Sequence, residues 1–107
     1  MALQVHFIDG AAFAATITIR PAIGKVGKFW YAKVAGVGGN GSLTFNGETG
    51  TKILQASGGN FEWGENIFGE GTNYQKFELT LDHNNYITID YVAGAPVATY
   101  SVYWVES

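Results

Sequence analysis

Along most of this chain apolar and polar residues alternate with a period of two, the pattern of strands that bury one face. Leu3, Val5 and Phe7 alternate with Gln4 and His6, and the run meets Asp9-Gly10, a turn pair in which glycine accepts a positive φ. Residues 2–8 therefore read as a first strand. In the next run Phe13, Ala15, Ile17 and Ile19 share one face, while Ala14, Thr16, Thr18 and Arg20 share the other. Threonine and isoleucine favour β structure here, and Pro21 stops the run. The spacing predicts an antiparallel hairpin across Asp9-Gly10.

Residues 28–35 form a further strand with aromatics on both faces, Phe29 and Tyr31 on one and Trp30, with Ala32 and Val34, on the other. Either this is a central strand buried on both sides, or Phe29 and Tyr31 are covered by a neighbouring sheet, a partner or a ligand. Residues 36–41, GVGGNG, read as a flexible turn. They do not form a phosphate loop, which needs a lysine at a set offset and a following helix.

Residues 42–45 and 51–56 pair through Asn46-Gly47, with Glu48-Thr49-Gly50 lengthening the turn. Residues 75–92 read as another hairpin: Phe77, Leu79 and Leu81 alternate on one arm, Ile87, Ile89 and Tyr91 on the other, around His83-Asn84-Asn85. The last strand, 97–105, sets Ala98, Tyr100, Val102 and Trp104 opposite Thr99, Ser101 and Tyr103. No stretch is an amphipathic helix. The expectation is an all-β chain, one domain over residues 1–107, folded as an antiparallel β-sandwich or jelly roll of about eight strands.

The stretch 57–74, SGGNFEWGENIFGEGTNY, breaks the pattern. It holds Glu62, Glu65 and Glu70, the aromatics Phe61, Trp63, Phe68 and Tyr74, and no lysine or arginine. It reads as a long loop, and long loops in small domains are commonly functional. Trp63 and Tyr74 are the rings that could stack on a ligand. Asn60, Glu62, Glu65, Asn66 and Asn73 could hydrogen-bond its hydroxyls. The competing reading is that Trp63 and Phe68 plug the end of the core.

Charge sharpens the picture. Charged residues make up 14% of the chain, the net charge is -3, and the six basic residues are scattered apart from a loose trio at Lys25, Lys28 and Lys33. Nucleic acid needs clustered positive charge and is not expected as a partner. With no cysteine, disulfides and thiolate metal sites are excluded. MALQVHFIDG has no basic region and no long apolar run, so no signal peptide is expected; the reading is a cytoplasmic chain, one exported by a leaderless route, or one whose leader was removed. No segment approaches the ~20 apolar residues of a membrane span. Sheet edges in so uncharged a chain point to a homo-oligomer.

Catalytic and metal patterns are weak. His6 and His83 lie far apart with no ligand spacing between them, no serine sits in a G-x-S-x-G elbow, and Asp82 with Asn84 and Asn85 fits a turn better than a calcium loop. Only Glu62, Glu65 and Glu70 offer paired carboxylates, in a chain short for a glycosidase cleft. No enzyme activity, cofactor or metal is expected. The leading expectation is a small lectin that binds a neutral glycan or glycoconjugate through the aromatic and acidic loop, multivalent by oligomerisation. The alternatives are a membrane-directed cytolysin or toxin component, and a self-assembling structural subunit.

Overall fold

The computed structural model describes residues 3–13, 16–35, 40–58, 61–65, 74–92 and 98–107. Their backbone forms nine strands: β1 (Gln4–Phe13), β2 (Thr16–Ile19), β3 (Gly27–Ala35), β4 (Asn40–Gly47), β5 (Gly50–Gly58), β6 (Phe61–Gly64), β7 (Tyr74–Lys76), β8 (Tyr86–Val92) and β9 (Ala98–Glu106). No helix occurs among the described residues. The strands make two sheets, ordered β1-β9-β3-β6-β7 and β2-β8-β4-β5.

The pairing has a simple logic. The chain doubles back at the β4–β5 hairpin, so that β3 meets β6, β2 meets β8 and β1 meets β9, and the doubled ribbon rolls until β9 also meets β3 and β8 meets β4. That is the topology of a jelly roll, a sandwich of two sheets. β7 is an addition at the edge, paired in parallel with β6, whereas the other strand pairings are antiparallel.

The core follows from alternation. Trp30, Ala32 and Val34 of β3 and Val102 and Trp104 of β9 project inward from the five-stranded sheet. Ile17 and Ile19, Leu43, and Ile87, Ile89 and Tyr91 project from the other, and all are buried. Where the sheets come closest, glycine makes room. A β-carbon built on Gly41 would stand 2.2 Å from Cζ of Phe61 and 3.0 Å from Cδ2 of Tyr91.

Several local expectations are corrected. Asp9-Gly10 is not a turn: β1 runs through it to Phe13 and pairs with β9, while β2 belongs to the opposite sheet. Residues 75–92 are not a hairpin, because β7 and β8 lie in different sheets; between them Leu81 bridges to Gly27 and Asp82 to Asn85, while Leu81 is fully buried and Phe77 and Leu79 pack on the core. The turn at the tip is real, closed by mutual backbone hydrogen bonds between Asp82 and Asn85. Within 36–41, Asn40 and Gly41 are strand, and residues 36–39 lie outside the described residues. The alternations of β3 and β9 and the β4–β5 hairpin stand as expected.

Candidate functional site

Sequence reasoning placed the site in a loop centred on Trp63. Instead, residues 61–64 are a strand inside the five-stranded sheet, and all of them are buried. Backbone pairing on both sides, to β3 and to β7, holds them there. Trp63 is fully buried, its ring 4.2 Å from that of Phe61, and cannot stack on a ligand. The expectation of an outward-facing indole is therefore corrected, and the plug reading holds for Trp63. Asn60, Asn66 and Asn73, with Phe68 and Glu70, lie outside the described residues.

Glu62 and Tyr74 fare differently. They point to the opposite face of β6 from Trp63 and are directly paired across the β6–β7 ladder. That outer face of the five-stranded sheet can be read from the registers as two rows. One is Phe7, Tyr103, Tyr31, Gly64 and Lys76; the other is Asp9, Ser101, Lys33, Glu62 and Tyr74. Neighbours within a row stand on strands about 4.8 Å apart. The aromatic residues that sequence reasoning noted on the second face of β3 are thus joined to two of the predicted loop residues.

The rings are organised. Phe7 is 66% exposed and stacks on Tyr103 with centroids 5.5 Å apart, and Phe29 meets Tyr103 edge-on at 5.8 Å. Tyr31 stands beside Tyr103, and its hydroxyl donates to Oε2 of Glu62 at 2.7 Å. Gly64, next in that row, lets the β3 backbone come close: a β-carbon there would lie 2.9 Å from the Trp30 carbonyl oxygen and 3.3 Å from Cα of Tyr31. The Tyr74 hydroxyl turns back to donate to the Gly64 carbonyl at 3.2 Å.

Electrostatics follow from this packing. Burial, then the hydrogen bond to Glu62 and the charge of that carboxylate, push the Tyr31 hydroxyl well above the usual tyrosine range, so it stays a donor. Burial raises Tyr74 as well, Glu62 adding to the effect and Lys76 opposing it. Burial raises Tyr103. Glu65, at the end of β6, has its carboxyl raised by burial and by the Glu78 carboxylate; its Oε2 is buried and has no hydrogen-bond partner among the described residues. It lies beyond the rows and is not joined to them by any described hydrogen bond.

Beside Glu62 the face dips into a hollow of about 230 Å³ lined by Lys33, Ala35, Thr99, Tyr100 and Ser101. Ser101 donates to Asp9 at 2.6 Å. Two larger hollows lie at turns, one under the β4–β5 hairpin tip and one between Ile23–Val26 and Asp82–Asn84. In the second, Oδ1 of Asp82 is already engaged by the backbone N–H groups of Asn84 and Asn85 and by the Asn85 amide, which hold its carboxyl below the usual range.

The histidines are separately engaged. His6 stacks on Trp104 at 5.0 Å and pairs with the buried carboxylate of Glu106, which also accepts from the Ala22 N–H at 2.7 Å. His83 Nδ1 lies 3.1 Å from the Pro21 carbonyl. Among the described residues no three His, Cys, Asp or Glu side chains are gathered as a metal site would require. No described helix is long and apolar enough to cross a membrane.

Comparison with protein-family models, with curated proteins and with solved structures finds no match. A jelly roll hosts lectin domains and viral coats alike, so the argument for function rests on the site and not on the fold. Sequence reasoning singles out Glu62 and Tyr74 but does not place Phe7, Tyr103, Lys33 and Ser101 beside them. The second aromatic face of β3 was the available signal. It says that something covers Phe29 and Tyr31, but not which strands flank them.

Proposed function

We propose that this chain is a carbohydrate-binding protein, a small lectin, and that it binds with the outer face of the five-stranded sheet instead of the Trp63 segment. The observation that carries the reading is the Tyr31 hydroxyl held on Glu62 at 2.7 Å between an aromatic strip and a hydroxyl-lined hollow. Sugars present both chemistries at once, C–H faces that pack on rings and hydroxyls that exchange hydrogen bonds with carboxylates, amines and other hydroxyls. On this face Phe7, Tyr103 and Tyr31 supply the rings, and Glu62, Lys33, Ser101 and Thr99 supply the polar groups. The low charge of the chain favours a neutral glycan. A single shallow site of this kind binds weakly, so useful avidity requires several copies.

The test is a glycan array run with and without chelator, followed by calorimetric titration of the best-bound glycan. Tyr103→Ala and Tyr31→Phe weaken binding, while Thr88→Ala, on the outer face of the other sheet, leaves it unchanged. Binding to plain-lipid vesicles without any glycan would point to the membrane-directed alternative, and an array without a specific signal would remove the lectin reading.

A further inference from the structure

β1 is an edge strand with a long side that no described strand pairs, and its outward residues as far as Phe7 are apolar. Leu3, Val5 and Phe7 are 62%, 52% and 66% exposed, three of the five exposed large hydrophobic residues described in the chain. Unpaired backbone beside exposed apolar side chains is a template for another strand, and edges are normally blunted by charge, proline, bulges or shortness. The other three edges of the sandwich are blunted. As described, β2 has four residues and ends against Arg20, and β7 has three and carries Lys76; β5 carries Lys52, and the β4–β5 register slips between Leu43 and Thr44. From Leu3 to Ile8, β1 has none of these devices, and its one acidic residue is Asp9. Its bulge comes later, between Ala11 and Phe13.

We propose that β1 pairs antiparallel with β1 of a second copy about a two-fold axis at Val5, joining the two five-stranded sheets into one continuous sheet. The strand's own sequence favours this register over those centred further along it. Opposed residues in an antiparallel pair project to the same face, so only even shifts keep outer residues opposite outer residues. Centred on Val5, the outer face pairs Leu3 with Phe7 of the second copy, Val5 with Val5, and Phe7 with Leu3, while Gln4 meets His6 on the inner face. Centred on His6, Leu3 would face Asp9 and the imidazoles would face each other. Centred on Phe7, Val5 would face Asp9. Of the registers centred on Val5, His6 and Phe7, only the first makes every outer pair among residues 3–7 apolar and keeps the Asp9 carboxylate outside that run.

Area sets the strength. From their exposed fractions these three side chains offer about 300 Å² per copy, against ~800 Å² per partner in a standard stable interface. The backbone ladder adds to this, and the pair is a weak, concentration-dependent dimer. In it the two Tyr31–Glu62 sites lie on one face, β6 to β6 about 34 Å apart across seven strand spacings. That spacing matters for avidity only if the sugar reading holds; the pairing itself does not rest on it.

The chain has no cysteine, which makes the test direct. Sedimentation over a concentration series shows twice the chain mass at high concentration, and Val5→Lys, a surface change that leaves the circular dichroism unchanged, raises the dissociation constant at least ten-fold. Under mild oxidation Val5→Cys yields covalent dimer, whereas Ile53→Cys, equally exposed on the β5 edge, does not. Phe7→Cys crosslinks to Leu3→Cys in a mixed sample but not to itself. A wild-type chain that stays monomeric at hundreds of micromolar overturns the proposal. So do crosslinking through position 53 and not 5, an open assembly larger than a dimer, and a Val5→Lys variant that loses binding to plain vesicles while its mass is unchanged.

Discussion

Phe61 occupies the space that a side chain at position 41 would need. Its Cζ lies 2.2 Å from where a β-carbon on Gly41 would stand, so the ring of one sheet rests on bare backbone of the other. Both residues are buried, and neither neighbour can give way into solvent. Gly41→Ala therefore overpacks the core and costs about 1–3 kcal/mol. For a domain of this size that lowers the melting temperature by several degrees per kcal/mol, measurable by calorimetry. Asn40→Ala, one residue away and exposed, changes it little.

Trp63 behaves as a core residue. Trp63→Ala costs about 3–5 kcal/mol. Its indole N–H has no partner among the described residues, so Trp63→Phe forfeits volume without orphaning an acceptor and costs less than half as much. Chemical denaturation of the two variants measures the difference. Because Trp30 and Trp63 are fully buried and Trp104 is 8% exposed, the native fluorescence is expected to be blue-shifted and to resist acrylamide, which a quenching titration measures.

Tyr31→Phe separates stability from binding. It removes the donor to a carboxylate that is only 8% exposed, and a lost hydrogen bond to a charged group of this kind costs about 1.5–3 kcal/mol. Glu62→Gln keeps an acceptor for the same hydroxyl and costs less. If the outer face binds sugar, both variants also weaken the titration measured under conditions where each is fully folded.

The pH dependence has two opposed parts. The Glu65 carboxyl is raised, so the folded state holds its proton more readily than the unfolded state does. Its contribution disfavours folding at neutral pH and is relieved as pH falls through the raised value toward the ordinary carboxylate range. Glu65→Gln is accordingly more stable than wild type near neutrality, with the gap closing on acidification. Asp82 is lowered, and its stabilisation is present at neutral pH and lost as pH falls through its folded value. Asp82→Ala is less stable near neutrality, and that gap also closes in acid. Melting curves from about pH 8 to about pH 3 resolve the two.

Much of this fold is legible in the residues alone. The period-two alternation put Trp30 with Val34 on one face of β3 and Val102 with Trp104 on one face of β9, and the Asn46–Gly50 segment named its hairpin, because both signals are local: a pleat and a tight turn act over a few residues. Asp9-Gly10 and residues 75–92 misled for the same reason. A turn pair can pass through an extended strand, and two alternating arms need not pair with each other when a jelly roll sends each to a partner far along the chain. Alternation also leaves open which face is buried, so Leu3, Val5 and Phe7 point outward while His6 and Ile8 turn in. The candidate site was visible only in halves, Glu62 and Tyr74 in one stretch and Phe29 and Tyr31 in another. What put them on one surface was the lateral order β1-β9-β3-β6-β7, set by how the whole ribbon rolls to bury its core and encoded in no single segment.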